Sequence, residues 1–319
     1  MSGGHMRDIF PVVVDGLWRQ GAKNLAVRLV SAEGQPLPAW TPGAHIDLHL
    51  PCGLIRQYSL TGSPAERDHY LLCIAREAQS RGGSGYVHDT LRPGQPLMIS
   101  APRNHFPLHE GGHVVLLAAG IGITPLLAMA RKLERTGQDW QLLYGGRSRA
   151  SMAFLDEMAA FGDKVKVRPQ DECGLLDLAA FIGAAQPGKV VYCCGPEPLL
   201  QAVEAQCASW PEDALQIERF HPRAQEVKLA SPAFDVELRK SGLTIAIAPD
   251  QTIADALDSI GVHIPRSCNE GTCGTCITKV LEGTPDHRDS FLRPKQRAEN
   301  KRIMVCCSRS LSPRLVLDV

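Results

Sequence analysis

A chain of 319 residues is too long for one core of ordinary size and has room for two or three domains. Its 34 Lys+Arg balance 34 Asp+Glu, so neither a general nucleic-acid binder nor a polybasic membrane-surface protein is expected; with 44% hydrophobic and 21% charged residues, disorder and coiled coil are excluded as well. Eleven cysteines are an odd number, and the first ten residues hold no apolar run that could serve a secretory signal. A disulfide scaffold is therefore not expected, and reduced cytoplasmic thiols, some of them metal ligands, are.

Met1-Ser2-Gly3-Gly4-His5 reads as an appended tag ahead of Met6. From Ile9 to about Phe106 the apolar runs are short and β-branched, as in Ala26-Val27-Arg28-Leu29-Val30, and Pro36, Pro42-Gly43, Gly53, Gly62 and Pro93-Gly94 punctuate them. This pattern predicts an antiparallel β-barrel over residues 6–108, with one short helix at 84–91. From His113 onward strands and helices alternate, which predicts an α/β domain with a parallel sheet over 109–222. Its strands are expected at 114–118, 141–144, 165–167, 190–193 and 215–217, and its helices at 152–161 and 198–207. Thr124 is expected to cap a further helix, with Pro125 at the first helical position. The uncharged stretch from Val114 to Ala130 is 17 residues long, but Gly120, Gly122 and Pro125 interrupt it, so it reads as strand, loop and helix rather than as a membrane span of about 20 residues. Residues 223–232 are polar and follow neither period, which suggests a linker. A third unit over 233–319 opens with a hairpin at 234–239 and 243–248, followed by a helix from Ile253 that Gly261 ends.

The third unit carries the strongest chemical signal. Cys268, Cys273 and Cys276 form a Cys-x4-Cys-x2-Cys run, and Cys306 follows thirty positions later; four thiolates so spaced are the plant-type way of holding a [2Fe-2S] cluster. The intervening residues are small, Gly271, Thr272, Gly274 and Thr275, which lets the backbone fold tightly and aim N–H groups at sulfur. A tetrahedral zinc site would more usually show two separated Cys-x2-Cys pairs, and buried structural thiols are the remaining alternative.

At these residues, together with Asp286-His287-Arg288-Asp289 and Cys306-Cys307-Ser308-Arg309, the chain resembles a known family. Residues 234–319 resemble a plant-type ferredoxin domain of α+β (β-grasp) fold, and the order barrel, nucleotide domain, ferredoxin is similar to that of the phthalate dioxygenase reductase family. The Cys-x-Ser-Arg pattern of the family implies Cys306, not Cys307, as the fourth ligand. An extended segment through Cys307 would turn the two thiols to opposite faces.

Arg56-Gln57-Tyr58-Ser59 resembles the Arg-x-Tyr-Ser flavin motif of the ferredoxin reductase superfamily; alternation puts Arg56 and Tyr58 on one face, with Ser59 able to bond the isoalloxazine edge. Arg81-Gly82-Gly83-Ser84 reads as a glycine-rich anion loop opening a helix, and Gly120-Ile121-Gly122-Ile123-Thr124-Pro125 as a glycine turn suited to a pyrophosphate. The latter has neither the third Rossmann glycine nor a P-loop lysine, and resembles the Gly-x-Gly-x-Thr-Pro segment of reductase nucleotide domains. The resemblance also implies that Cys194-Gly195-Pro196 lies beside the nicotinamide, and that Cys194 and Phe220 act at hydride transfer. FMN is implied rather than FAD, and NADH rather than NADPH. Arg147-Ser148-Arg149 could hold a 2′-phosphate, whereas Asp171 could bind a ribose and repel one. The function implied is an NADH-dependent reductase passing electrons through FMN and a [2Fe-2S] cluster to a Rieske-type oxygenase. A reductase for a cytochrome P450 or other acceptor, and a redox-sensing binding protein, are the alternatives.

Overall fold

The computed structural model describes residues 9–78, 81–109, 111–223 and 232–319. The chain separates into two compact units, Met1–Glu218 and Arg219–Val319. Most of the expected linker, residues 224–231, lies outside the described residues.

The first unit begins with the strands β1 (Ile9–Gln20), β2 (Asn24–Ser31), β3 (Ala44–His49), β4 (Ile55–Ser59) and β5 (His69–Ala75), the helix α1 (Gly83–Asp89), then β6 (Pro96–Ser100) and β7 (Arg103–Asn104). They form one antiparallel sheet in the order β4-β3-β6-β1-β2-β5, with β7 on β3. The two ends of this path meet where Thr61 N–H donates to Leu71 O at 2.9 Å, curling the sheet into a barrel. Alternation sends Val12, Val14, Val27, Leu29, Ile46, Leu48, Leu97 and Ile99 inward, where Val87 and Leu91 of the α1 segment join them.

The same unit continues with β8 (Val114–Ala119), α2 (Ile123–Thr136), β9 (Trp140–Gly146), α3 (Leu155–Ala159), β10 (Val165–Pro169), α4 (Gln170–Cys173), α5 (Leu178–Ile182), β11 (Val190–Cys194), α6 (Glu197–Gln206) and β12 (Leu215–Glu218). All five strands are parallel in the order β10-β9-β8-β11-β12. The strand order reverses between β8 and β11, so the crevice at their carboxyl ends is the place where such sheets bind ligands.

Two expectations for this sheet's helices need correction. Thr124 is not an N-cap: a 3-10 turn at Gly120–Gly122 runs into α2, the cap position falls on Gly122, and Pro125 is the third helical residue. The Thr124 hydroxyl donates to Ile121 O at 2.9 Å instead, stiffening the turn. The helix expected over 152–161 shrinks to α3 because residues 150–154 dock on the β1–β2 hairpin tip. There Ala22 N–H donates to Ala150 O at 2.7 Å and Asn24 Nδ2 to Ser151 O at 3.0 Å. Phe154, at φ +59°, donates its N–H to Gln20 Oε1 at 3.0 Å, so helical geometry starts only at Leu155.

In the second unit β13 (Phe234–Leu238), β14 (Thr244–Ile247), α7 (Ile253–Ser259), β15 (Ile277–Glu282), β16 (Pro285–Asp286), α8 (Pro294–Ala298), β17 (Arg302–Met304), β18 (Arg309–Ser310) and β19 (Arg314–Leu317) follow in order. The main sheet runs β14-β13-β19-β15-β17, mixed because β13 and β19 are parallel. Ile253, Ala254, Ala256 and Leu257 of α7 pack into its core, the β-grasp arrangement of a sheet closed on a helix.

Candidate redox cofactor sites

On β4, Arg56 is half-buried and donates through Nη2 to Arg81 O at 2.6 Å and through Nη1 to Ile55 O at 2.8 Å. A Cβ on Gly83 would lie 2.6 Å from Arg56 Cγ, so only glycine lets the guanidinium stem lie across the start of α1. Gly82, at φ +88°, makes the left-handed entry to that helix, and the Ser84 hydroxyl accepts the Glu77 N–H at 3.2 Å. Two segments 25 residues apart thus meet as one cationic, glycine-lined mouth. Tyr58 stands opposite Ile46 and Arg56 opposite Leu48, whereas Ser59 stands opposite the buried His45. Cross-strand partners share a face, so Arg56 and Tyr58 lie together and Ser59 lies on the other side of the strand. Burial pushes the Tyr58 hydroxyl up to about 12, so it stays protonated at neutral pH.

At the sheet's switch point the fold joins two motifs more than seventy residues apart. A Cβ on Gly122 would fall 2.1 Å from Cys194 O and 2.8 Å from Gly195 N, and one on Gly195 would fall 3.2 Å from Ala119 Cβ. Gly120, Gly122, Thr124, Pro125, Cys194, Gly195 and Pro196 therefore all gather at the ends of β8 and β11. Cys194 is buried, and burial together with the Glu218 carboxyl raises its thiol well above the usual range, so it is no thiolate nucleophile.

Glu218 opens the Glu218-Arg219-Phe220 segment that the family resemblance implies near the flavin; its burial is not legible in the sequence. It pairs with Cys194 in the β11–β12 register, its Oε2 is buried with no hydrogen-bond partner among the described residues, and burial pushes its carboxyl up to about 8. Asp171 lies in α4, exposed, with its N–H on Arg147 O at 3.2 Å. Phe220 belongs to the second unit and is half-buried.

In the second unit Cys268, Cys273, Cys276 and Cys306 are 7, 8, 2 and 4% exposed. They gather in pairs as free thiols, Cys273 hydrogen-bonded to Cys268 and Cys276 to Cys306, with Cys307 also hydrogen-bonded to Cys306. Among the described residues no three His, Cys, Asp or Glu side chains converge on a single ion. Two pairs rather than one tetrahedron suit a cluster whose two irons each take two thiolates, and they fit poorly with one zinc ion. Gly271 and Gly274, both at φ +72°, shape the loop, and Glu270 N–H points to Cys268 Sγ at 3.4 Å.

The extended segment expected through Cys307 is replaced by a turn. β17 ends at Met304, whose carbonyl accepts N–H from both Cys307, at 3.2 Å, and Ser308, at 2.9 Å. The turn keeps the two thiols adjacent, with Cys307 hydrogen-bonded to Cys306. Cys307 Sγ packs where a Gly271 Cβ would be, with Met304 O and Ser308 Oγ at 3.9 Å.

Comparison with known proteins agrees with this arrangement. Residues 236–311 match the model of the 2Fe-2S iron-sulfur cluster binding domain. The chain is 46% identical over 285 residues to the phenoxybenzoate dioxygenase subunit beta of Ectopseudomonas oleovorans, covering 89% of each. An intact type IV self-sufficient cytochrome P450 monooxygenase is 40% identical with a TM-score of 0.89; the match takes in 98% of this chain, which spans only 41% of the P450 chain. The structure of phthalate dioxygenase reductase, described as a modular structure for electron transfer from pyridine nucleotides to [2Fe-2S], superposes with a TM-score of 0.73 at 32% identity and 98% coverage of both chains. With barrel, parallel sheet and cysteine-bearing β-grasp in that order and likeness along its whole length, the chain belongs to the phthalate dioxygenase reductase family of oxygenase reductases.

Proposed function

We propose that the chain oxidises NADH at an FMN held by its first unit and passes electrons singly, through the [2Fe-2S] cluster of its second, to the oxygenase component of a Rieske-type system in the cytoplasm. The observation that carries the reading is the meeting of Gly122 with Cys194 and Gly195 at the switch point, in the same unit as the Arg56–Gly83 mouth. A hydride brings two electrons and a plant-type cluster accepts one, and a bound flavin supplies the chemistry that divides the pair.

Arg56 and Arg81 offer cations to one terminal phosphate, which favours FMN, and Gly82, Gly83 and Ser84 let backbone approach it. Tyr58 provides a ring and a protonated hydroxyl on the same face, and Ser59 supports the strand from behind. Gly122 and Gly195 let the ends of β8 and β11 approach closely, Gly120 and Pro196 border the dinucleotide crevice, and Thr124 and Pro125 hold the turn. Cys194 lines the nicotinamide pocket as a neutral thiol, and Glu218 can hold a proton beside it.

Selectivity for NADH is supported by how the rival anion site is occupied. Arg149 donates Nη2 and Nε to both oxygens of Glu172, at 2.9 and 3.2 Å, and the Ser151 hydroxyl accepts the Ser148 N–H at 3.2 Å and donates to Ser148 O at 2.7 Å. One of the cations that could take a 2′-phosphate is thus paired with a carboxylate, and Asp171 adds a repelling one.

The relatives named as dioxygenase components favour an oxygenase acceptor, and the P450 match supports a P450 as the second reading. No helix among the described residues is long and apolar enough to cross a membrane. The test is the absorption spectrum of the purified protein followed by steady NADH oxidation with ferricyanide or cytochrome c. Turnover with a kcat/KM well above that for NADPH is expected; a flavin-free spectrum, or cofactors without turnover as in a sensor, overturns the reading. Reconstitution with a Rieske oxygenase or a P450 then decides the acceptor.

A further inference from the structure

Asp289 lies outside both ligand-bearing loops, yet it is the point at which they are joined. Its side chain is wholly buried, and its Oδ2 accepts N–H from Phe291 at 3.1 Å and Leu292 at 2.7 Å. Ser308, two positions beyond Cys306, donates its hydroxyl to Oδ1 at 3.4 Å and accepts Arg288 N–H at 3.1 Å. On the other side Ser290 N–H donates to Gly271 O at 3.0 Å, and a Cβ on Gly271 would lie 2.8 Å from Asp289 Cα. The turn that Asp289 organises also sets the Phe291 ring against Gly274, where a Cβ would lie 2.4 Å from Phe291 Cζ. One carboxylate therefore fixes a backing wall that touches the Cys268–Cys276 loop at both glycines and the Cys306 loop at Ser308.

The carboxylate is also a charge. Burial alone would favour its neutral form, but His287, the Leu292 N–H and the Arg297 guanidinium outweigh burial and hold it below the ordinary carboxylate range. A fixed negative charge one residue layer from an iron–sulfur site disfavours the addition of an electron.

We propose that Asp289 is a positioning residue for the [2Fe-2S] cluster: it clamps the two ligand loops together and, by its buried charge, lowers the cluster's reduction potential. The inference rests on the reading of the four cysteines as ligands, and the wild-type spectrum tests that reading separately. Asp289→Asn removes the charge and keeps an oxygen for the Phe291 and Leu292 N–H groups, whereas Asp289→Ala removes the clamp. Asp235→Asn, at an exposed position on the hairpin, makes the same change in net charge. With full-length holoprotein, dye-mediated redox titration should place the D289N cluster at a higher potential than wild type and D235N, with the two-iron absorption spectrum retained. D289A should lose that absorption to a chelator at least about tenfold faster than wild type. If D289A does not fold, D289N alone decides: a potential no different from D235N overturns the electrostatic role. A bleaching rate for D289A equal to wild type overturns the clamp.

Discussion

At the scale of single residues the fourth cluster ligand is the sharpest case. Cys306 is hydrogen-bonded to Cys276 and also to Cys307, which the turn at Met304 packs against Gly271, so the family pattern is what singles out Cys306. Cys306→Ser should expel the cluster or change its dithionite-reduced electron paramagnetic resonance, and Cys307→Ser should leave both nearly as in wild type; the reverse result would move the ligand to Cys307. A second residue-scale prediction concerns His45, whose ring is forced neutral by burial, reinforced by Arg103 and His105 against the pull of Asp47, so that its pKa falls to about 3. Below the unfolded value of about 6.5 the unfolded chain takes up a proton that the native ring refuses, so stability falls with pH over that window. Between pH 6.5 and 5 this contribution is about 2 kcal/mol, and His45→Gln should flatten that part of the acid limb in urea titrations. An unchanged acid limb would mean that His45 titrates normally. The burial of His45 cannot be read from local sequence, because it depends on which strands pack around β3.

At the scale of elements, the strands of the parallel sheet and the starts of α1, α6 and α7 were legible, and the starts of α2 and α3 were not. The runs at 114–118 and 190–193 are apolar because both faces of a parallel sheet are covered, and the strands expected at 114–118, 190–193 and 215–217 appear as β8, β11 and β12 within a residue or two. The starts of α2 and α3 were misplaced because the Thr124 hydroxyl bonds Ile121 O and because Phe154 is held by Gln20. The turn before α2 is also where a small change should have a large effect. Gly122→Ala places a Cβ 2.1 Å from Cys194 O, so backbone must move at the proposed dinucleotide crevice. A shift of about 1 Å there should lower kcat/KM for NADH on the order of 10²-fold in a ferricyanide assay. A near-normal value would show that the crevice does not receive the nicotinamide nucleotide.

For the whole molecule, the barrel and parallel sheet form one unit and the cysteine-bearing β-grasp another. Each carries its own core, so loss of one cofactor should leave the other in place. Arg56→Ala removes the guanidinium from the mouth at Gly83 and should yield protein with little flavin absorbance but a full cluster spectrum, inactive with NADH. Simultaneous loss of both chromophores would mean that the units stabilise each other.

The sequence by itself determined what local chemistry encodes: the cysteine spacing, the glycine turns, the period change near residue 110 and the order of three folding patterns. Only tertiary structure decided which distant residues share a site. Arg56 meets Gly83 because β4 runs beside the start of α1, and Gly122 meets Cys194 because β8 and β11 are neighbours in a sheet whose order differs from the chain's. The buried Glu218 and Asp289 acquire their electrostatic character the same way. Burial and charge are sums over everything within a few ångströms, and sequence neighbours supply only part of that sum.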